Sequence, residues 1–138
     1  MSRTYSETSA AFNLISAVVA FVLWGCWAYF VNENSVPSSG LVSGITQGAA
    51  SFLITLLMVR IVTFLFARLP TNGGAILLPA LATMCITSSF LIAAHCFVET
   101  PNIIRTITPA LCVGFVFCII TTLQLRKNMT SLTHECES

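Results

Sequence analysis

Long apolar stretches broken by short polar punctuation dominate the chain. The first is Ala11–Val31, the second Gly40–Leu69 and the third Gly74–Val98, and a fourth begins near Thr108 and ends at Leu125. Crossing the hydrocarbon of a bilayer takes about 20 apolar residues as an α-helix, with a usable range of about 17–25. The first and third stretches meet that length directly. The second would be roughly 45 Å long at ~1.5 Å per residue, so it must tilt or run past the hydrocarbon. Arg60 and Arg68 mark the overrun, which places a span at 41–60 with an interfacial extension to 69. The fourth reads as opening at Thr108, an N-cap, with Pro109 in the first helical position. An opening at Thr100-Pro101 would make it longer. Pro70-Thr71-Asn72-Gly73-Gly74 is the clearest turn, and the tail 128–138 is polar and reads as loose. The expected fold is all-α: a single polytopic membrane domain, built as a compact bundle of four transmembrane helices at about 11–31, 41–60, 75–98 and 108–125.

Composition sharpens this. Over 138 residues, 56% are hydrophobic and only 8% are charged, against about 25% charged in a soluble domain. Such a chain cannot build a surface that water wets, so lipid must cover it. The net charge of +1 gives no basic face for nucleic acid. The basic residues set an orientation. In a four-span arrangement Arg3, Arg60, Arg68, Arg126 and Lys127 gather on one side, and Arg105 falls on the other beside Glu33 and Glu99. Basic residues collect in the cytoplasm, so both termini are expected there. Trp24, Trp27 and Tyr29 then form an aromatic belt at the outer interface. The first stretch is too long for a signal peptide and reads as a retained span. Asn128 heads an Asn-Met-Thr triplet, but on the cytoplasmic side it is not a glycan acceptor.

Two segments of the first half resemble two of the second: Tyr29–Glu33 resembles Cys96–Thr100, and Thr55–Arg60 resembles Thr122–Arg126. That would make a parallel repeat of helical hairpins. Chance similarity between apolar hairpins, each ending on basic residues, is the competing reading.

The most specific motif is Gly40, Gly44 and Gly48, one glycine every four residues on one face of the second helix. Missing side chains there let another backbone come close. Beside it runs a polar stripe of Ser43, Gln47, Ser51 and Thr55. Lipid offers these groups no hydrogen bonds, so the face must point at protein or at water in a cavity. Helix packing, within the bundle or between subunits, accounts for both stripes; a substrate path along Gln47, Ser51 and Thr55 is the sharper alternative. Gln47 is the informative member, because hydroxyls can bond back to their own helix and an amide cannot so easily.

His95 and Glu99 lie at i,i+4 near the outer end of the third helix, which puts them on one face. With Arg105 they make a candidate proton or headgroup site. Arg60 and Arg68 are expected to snorkel to lipid phosphate and fix the topology. Asn13, with Ala17 and Ala20 beyond it, reads as a further packing contact. The cysteines Cys26, Cys85, Cys96, Cys112, Cys118 and Cys136 show no C-x-x-C or zinc spacing and read as small packing residues. No metal site and no cofactor are expected, since only His95 among the two histidines lies in a span and a b-type haem takes two axial ligands.

No span centre carries Asp, Glu or Lys, and the chain has no Ser/His/Asp triad or phosphate loop. It shares its length and span count with the small multidrug transporters, but it lacks the glutamate they carry in the first helix. No family is assigned, and no catalytic residue is. The expectation is a small non-enzymatic protein of a bacterial inner membrane, self-associating or bound to a larger membrane protein. It would serve as an accessory subunit or as a small transporter of a neutral or lipid-like solute. The alternative is a lipid-modifying enzyme using His95 and Glu99 at the outer headgroups.

Overall fold

A computed structural model describes the backbone of residues 2–35, 37–69 and 77–137 and the side chains of residues 11–35, 37–69 and 77–127. The described residues form four helices and no strand: α1 (Ser2–Asn32), α2 (Ser39–Arg68), α3 (Leu78–Phe97) and α4 (Ile103–Glu137). All four are long and apolar enough to cross a membrane, so the chain reads as a multi-pass membrane protein. The turn expected at Pro70–Gly74 falls outside the described residues, as do the side chains of Arg3, Asn128, His134 and Cys136.

The surface is what lipid requires. Phe12 is 70% exposed, Ile104 77% and Phe97 90%, and most outward positions of every helix are apolar. The interior holds the polar groups: His95, Gln47 and Asn32 are among the largest fully buried side chains. A water-soluble protein distributes these the other way round. No buried side-chain nitrogen or oxygen among the described residues lacks a hydrogen-bond partner. Many hydroxyls meet this demand locally. Thr55, Thr83, Thr87, Thr106, Thr108, Thr121 and Thr122 each donate to the carbonyl one turn earlier, which lets a threonine sit in hydrocarbon.

The glycine stripe decides how α1 and α2 meet. A Cβ placed on Gly44 would lie 2.9 Å from the Gly25 carbonyl oxygen, one on Gly48 2.9 Å from that of Phe21, and one on Gly40 2.9 Å from Glu33 Cα. The two backbones run antiparallel in direct contact along this seam. Each of α2 and α4 touches all three other helices, whereas α1 and α3 do not meet. The positions of the second hairpin that match Gly40, Gly44 and Gly48 are Ile107, Leu111 and Phe115. The halves therefore pack by different chemistry, and the faint repeat does not extend to the helix seam.

Two boundaries differ from the sequence reading. α4 begins at Ile103, which leaves Pro109 inside the helix rather than at its start. A proline there removes the N–H that would bond the Arg105 carbonyl. The indole N–H of Trp27 takes that carbonyl instead, at 3.1 Å, so a neighbouring helix repairs the break as a membrane interior demands. Past Arg60, α2 continues to Arg68, and Val62 and Phe66 are still buried, so one face of that stretch packs against the bundle. The tail stays helical to Glu137.

Candidate functional site

The polar interior concentrates where α2, the end of α3 and the start of α4 converge. α3 closes at Phe97 with Glu99 in the left-handed region, φ 55°. The Glu99 N–H bonds the Cys96 carbonyl at 3.2 Å and the Thr100 N–H bonds the His95 carbonyl at 3.0 Å. This is a Schellman closure, and it turns the chain back over the last helical turn. Two consequences follow. Glu99 leaves the helix and is exposed while His95 is fully buried, so the i,i+4 pairing does not form. Thr100 takes its place: the Thr100 hydroxyl is 2.8 Å from His95 Nδ1.

On the other side of the ring, His95 Nε2 lies 2.7 Å from Gln47 Oε1. The Gln47 amide nitrogen donates to Ser51 Oγ at 3.4 Å, and the Ser43 hydroxyl donates to Thr100 Oγ1 at 3.3 Å. A carbonyl oxygen only accepts, so Nε2 carries the proton and Nδ1 accepts from Thr100. The polar stripe of α2 is thus a continuous chain, Ser43, Thr100, His95, Gln47, Ser51, in which each group donates to the next.

A second cluster ties together the end of the bundle where α1 turns into α2 and α3 into α4. The Asn32 amide donates to the Ala28 carbonyl at 2.8 Å and to Thr106 Oγ1 at 2.9 Å, and it accepts the Asn102 backbone N–H at 3.0 Å. The Asn102 amide donates to Ser35, and Ser39 donates to the Asn32 carbonyl. Sequence reasoning missed Asn32, because an asparagine at the end of a span looks like the first residue of a loop.

Below the His95 chain the four helices line a partly open cleft of about 340 Å³. Its α1 wall carries Phe12, Ser16 and Trp24, and its α4 wall carries Gly114 and Phe117. Ser51, Thr55 and Thr87 supply hydroxyls from α2 and α3 among apolar neighbours. Of the proposed path residues, Ser51 and Thr55 line this cleft; Gln47 stands behind it, against His95.

The remaining candidates fall elsewhere. Arg60, Arg68 and Arg105 are exposed, and the Arg68 guanidinium stacks 4.8 Å above the Phe64 ring. Arg105 edges a separate surface groove with Thr100 and Asn102. Asn13 is exposed rather than packed. Cys26, Cys85, Cys96 and Cys112 face outward, and Cys118 is buried.

Comparison with known protein families, curated proteins and solved structures finds no match. The chemistry must therefore be read from these residues.

The placement of Glu99 makes a test. A left-handed residue other than glycine costs about 1 kcal/mol in this position. Glu99→Gly is expected to leave the fold intact and raise stability by up to ~1 kcal/mol, read as a shifted unfolding midpoint in detergent. A large loss of stability would mean that the carboxylate is a structural partner of the site.

Proposed function

We propose that this chain is a non-enzymatic carrier that holds a neutral, lipid-like solute in the cleft between its four helices. The observation that carries the reading is the lining of that cleft. It is mostly apolar, it draws on all four helices, and its polar groups, hydroxyls and the Trp24 indole, are uncharged. At about 340 Å³ it lies at the small end of the range of roughly 300–1,000 Å³ for small-molecule sites. A charged solute would have to be desolvated there without a partner, at a cost of several kcal/mol. α1 and α3 do not touch, so the cleft sits where the bundle is least closed.

In this reading both termini face the cytoplasm of a bacterial cell, with Arg60, Arg68, Arg126 and Lys127 at the inner surface and Arg105 at the outer one. The membrane is the inner one. The second reading is an accessory subunit of a larger membrane complex. It is favoured by the first part of the α1 span, where only Ala17 is buried between Ala11 and Val19. The lipid-modifying alternative needs His95 and Glu99 side by side at the headgroups, and it draws no support from a buried His95 held by Gln47 and Thr100.

Purification in mild detergent followed by mass spectrometry tests the proposal. The expected result is a co-purifying neutral lipid that is lost in Gly114→Leu. A Cβ at Gly114 meets only the flexible ends of Met58 and Met84, at 3.4 and 3.9 Å, so leucine fills the cleft without breaking the fold. Retention of the lipid should fall at least ~10-fold. A folded chain that carries no lipid and brings down a stoichiometric protein would favour the accessory subunit.

A further inference from the structure

The hydrogen-bond chain through His95 ends on the wall of the cleft, and its direction says what the cleft recognises. Gln47 gives an N–H to Ser51 Oγ. The serine oxygen is then an acceptor, and its own proton remains to be placed. Thr55 and Thr87 spend their protons on the backbone carbonyls of Ser51 and Thr83, at 2.7 and 3.0 Å. Among the described residues, Ser16 and Ser51 are the cleft hydroxyls whose protons go to no backbone carbonyl. Only Ser51 is held in place by another side chain. In hydrocarbon such a donor calls for an acceptor.

The chain behind it strengthens that donor. Ser43, Thr100, His95 and Gln47 all donate in the same sense, toward Ser51 on the cleft wall. Hydrogen bonds in series polarise one another, so each acceptance makes the next donation stronger. His95 is fully buried, and both of its ring nitrogens are bonded to fixed partners, which locks the direction of the whole series. Thr100, one step from the far end, borders the Arg105 groove.

We infer that the solute of this cleft is a neutral amphiphile that presents a carbonyl or ester oxygen to the Ser51 hydroxyl, with His95 acting through Gln47 as a positioning residue. This rests on the carrier reading above and narrows its substrate class. A saturated hydrocarbon has nothing to offer Ser51. An alcohol would have to turn its oxygen, not its proton, to that side. The lone pairs left on Thr55 and Thr87 would accept a hydroxyl borne elsewhere on the same molecule, as in a partial ester.

The test uses the full chain in detergent micelles and two brominated probes of similar length, methyl 11-bromoundecanoate and 1-bromododecane. Bromine in the cleft quenches Trp24, and concentrations are expressed as mole fractions in the micelle. Wild type should show saturable quenching by both probes, with the ester favoured about 5–10-fold, the contribution of one desolvated hydrogen bond. Ser51→Ala should abolish the preference. Thr100→Val, which breaks the chain far from the cleft, should weaken ester binding about 2–3-fold, and Thr100→Ser should restore it. A merely structural Thr100 would affect both probes equally. Equal affinity of wild type for the two probes, or a preference that survives Ser51→Ala, overturns the inference and leaves the carrier standing. An ester preference that ignores Thr100→Val removes the positioning role of His95. Quenching that never saturates with either probe, or that Gly114→Leu does not change, overturns the carrier reading as well.

Discussion

Gly44→Leu should unfold the α1–α2 hairpin. The new Cβ would lie 2.9 Å from the Gly25 carbonyl oxygen and 3.3 Å from Tyr29 Cβ, so backbone meets backbone and no rotamer relieves the contact. Overpacking in a close-packed interior costs about 1–3 kcal/mol when side chains can give way. Here they cannot, and about 3 kcal/mol or more is expected, because the helices must separate along their whole seam. Gly44→Ala should already cost a large share of this, and Gly48→Ala, facing the Phe21 carbonyl, should behave alike. Gly114→Ala is the control, since its neighbours are methionine side chains, and it should be close to neutral. Unfolding in mixed micelles of mild detergent and dodecyl sulfate measures all four. The loss should not depend on protein concentration, because the partner of the stripe is Gly25 of the same chain. A loss that is reversed by raising the concentration would instead place the glycine seam between two copies.

Removing His95 should be nearly as damaging, for an electrostatic reason. His95→Leu leaves the Gln47 carbonyl without its donor, and the Thr100 hydroxyl without the acceptor of its proton, in a site that water does not reach. Each buried orphan costs about 1–3 kcal/mol, so the single substitution should cost about 2–4 kcal/mol. Gln47→Leu should cost a similar amount by stranding the ring Nε2–H and the Ser51 hydroxyl. The double variant should cost clearly less than the two losses added together, because removing both partners of one bond leaves fewer orphans. His95→Gln, which can both donate to Gln47 and accept from Thr100, should recover most of the loss. The same micelle titration reads the cycle, and strict additivity would mean that the 2.7 Å contact is not a working hydrogen bond. This has a consequence for assays of function. Lost activity in His95→Ala does not mark a catalytic histidine, since the fold around it fails first; activity retained in His95→Gln separates the two.

The span pattern was readable because lipid imposes it residue by residue. Runs such as Ala11–Val31 and Gly74–Val98 announce helices by length alone, and the structure places α1 and α3 over them. The glycine stripe was readable as a close-contact face. Its partner was not, since Gly25 is a single glycine with no period of its own. Pro109 misled because a proline suits the first turn of a helix, and nothing in the sequence announces that Trp27 will satisfy the carbonyl it frees. His95 and Glu99 misled in a related way: helical spacing pairs them only if the helix continues, and it stops at Phe97. The bond from His95 to Gln47 spans 48 positions in sequence, and no local pattern carries information over that distance. The need for such a bond was nevertheless visible, because a glutamine in the middle of an apolar span must find a partner.

The bundle needs an outward face that lies in lipid and an interior that holds the polar groups. Cys85 on α3 and Cys112 on α4 are exposed on the outside of the bundle, within stretches that would lie inside the hydrocarbon. Reconstituted in phospholipid vesicles, with Cys136 replaced by serine, the chain can be treated with a charged, water-soluble maleimide. The account predicts that Cys85 and Cys112 stay unlabelled in intact vesicles and label fully once the membrane is dissolved in dodecyl sulfate. Rapid labelling of either cysteine in the intact vesicle would put water where this account has lipid, and would contradict it.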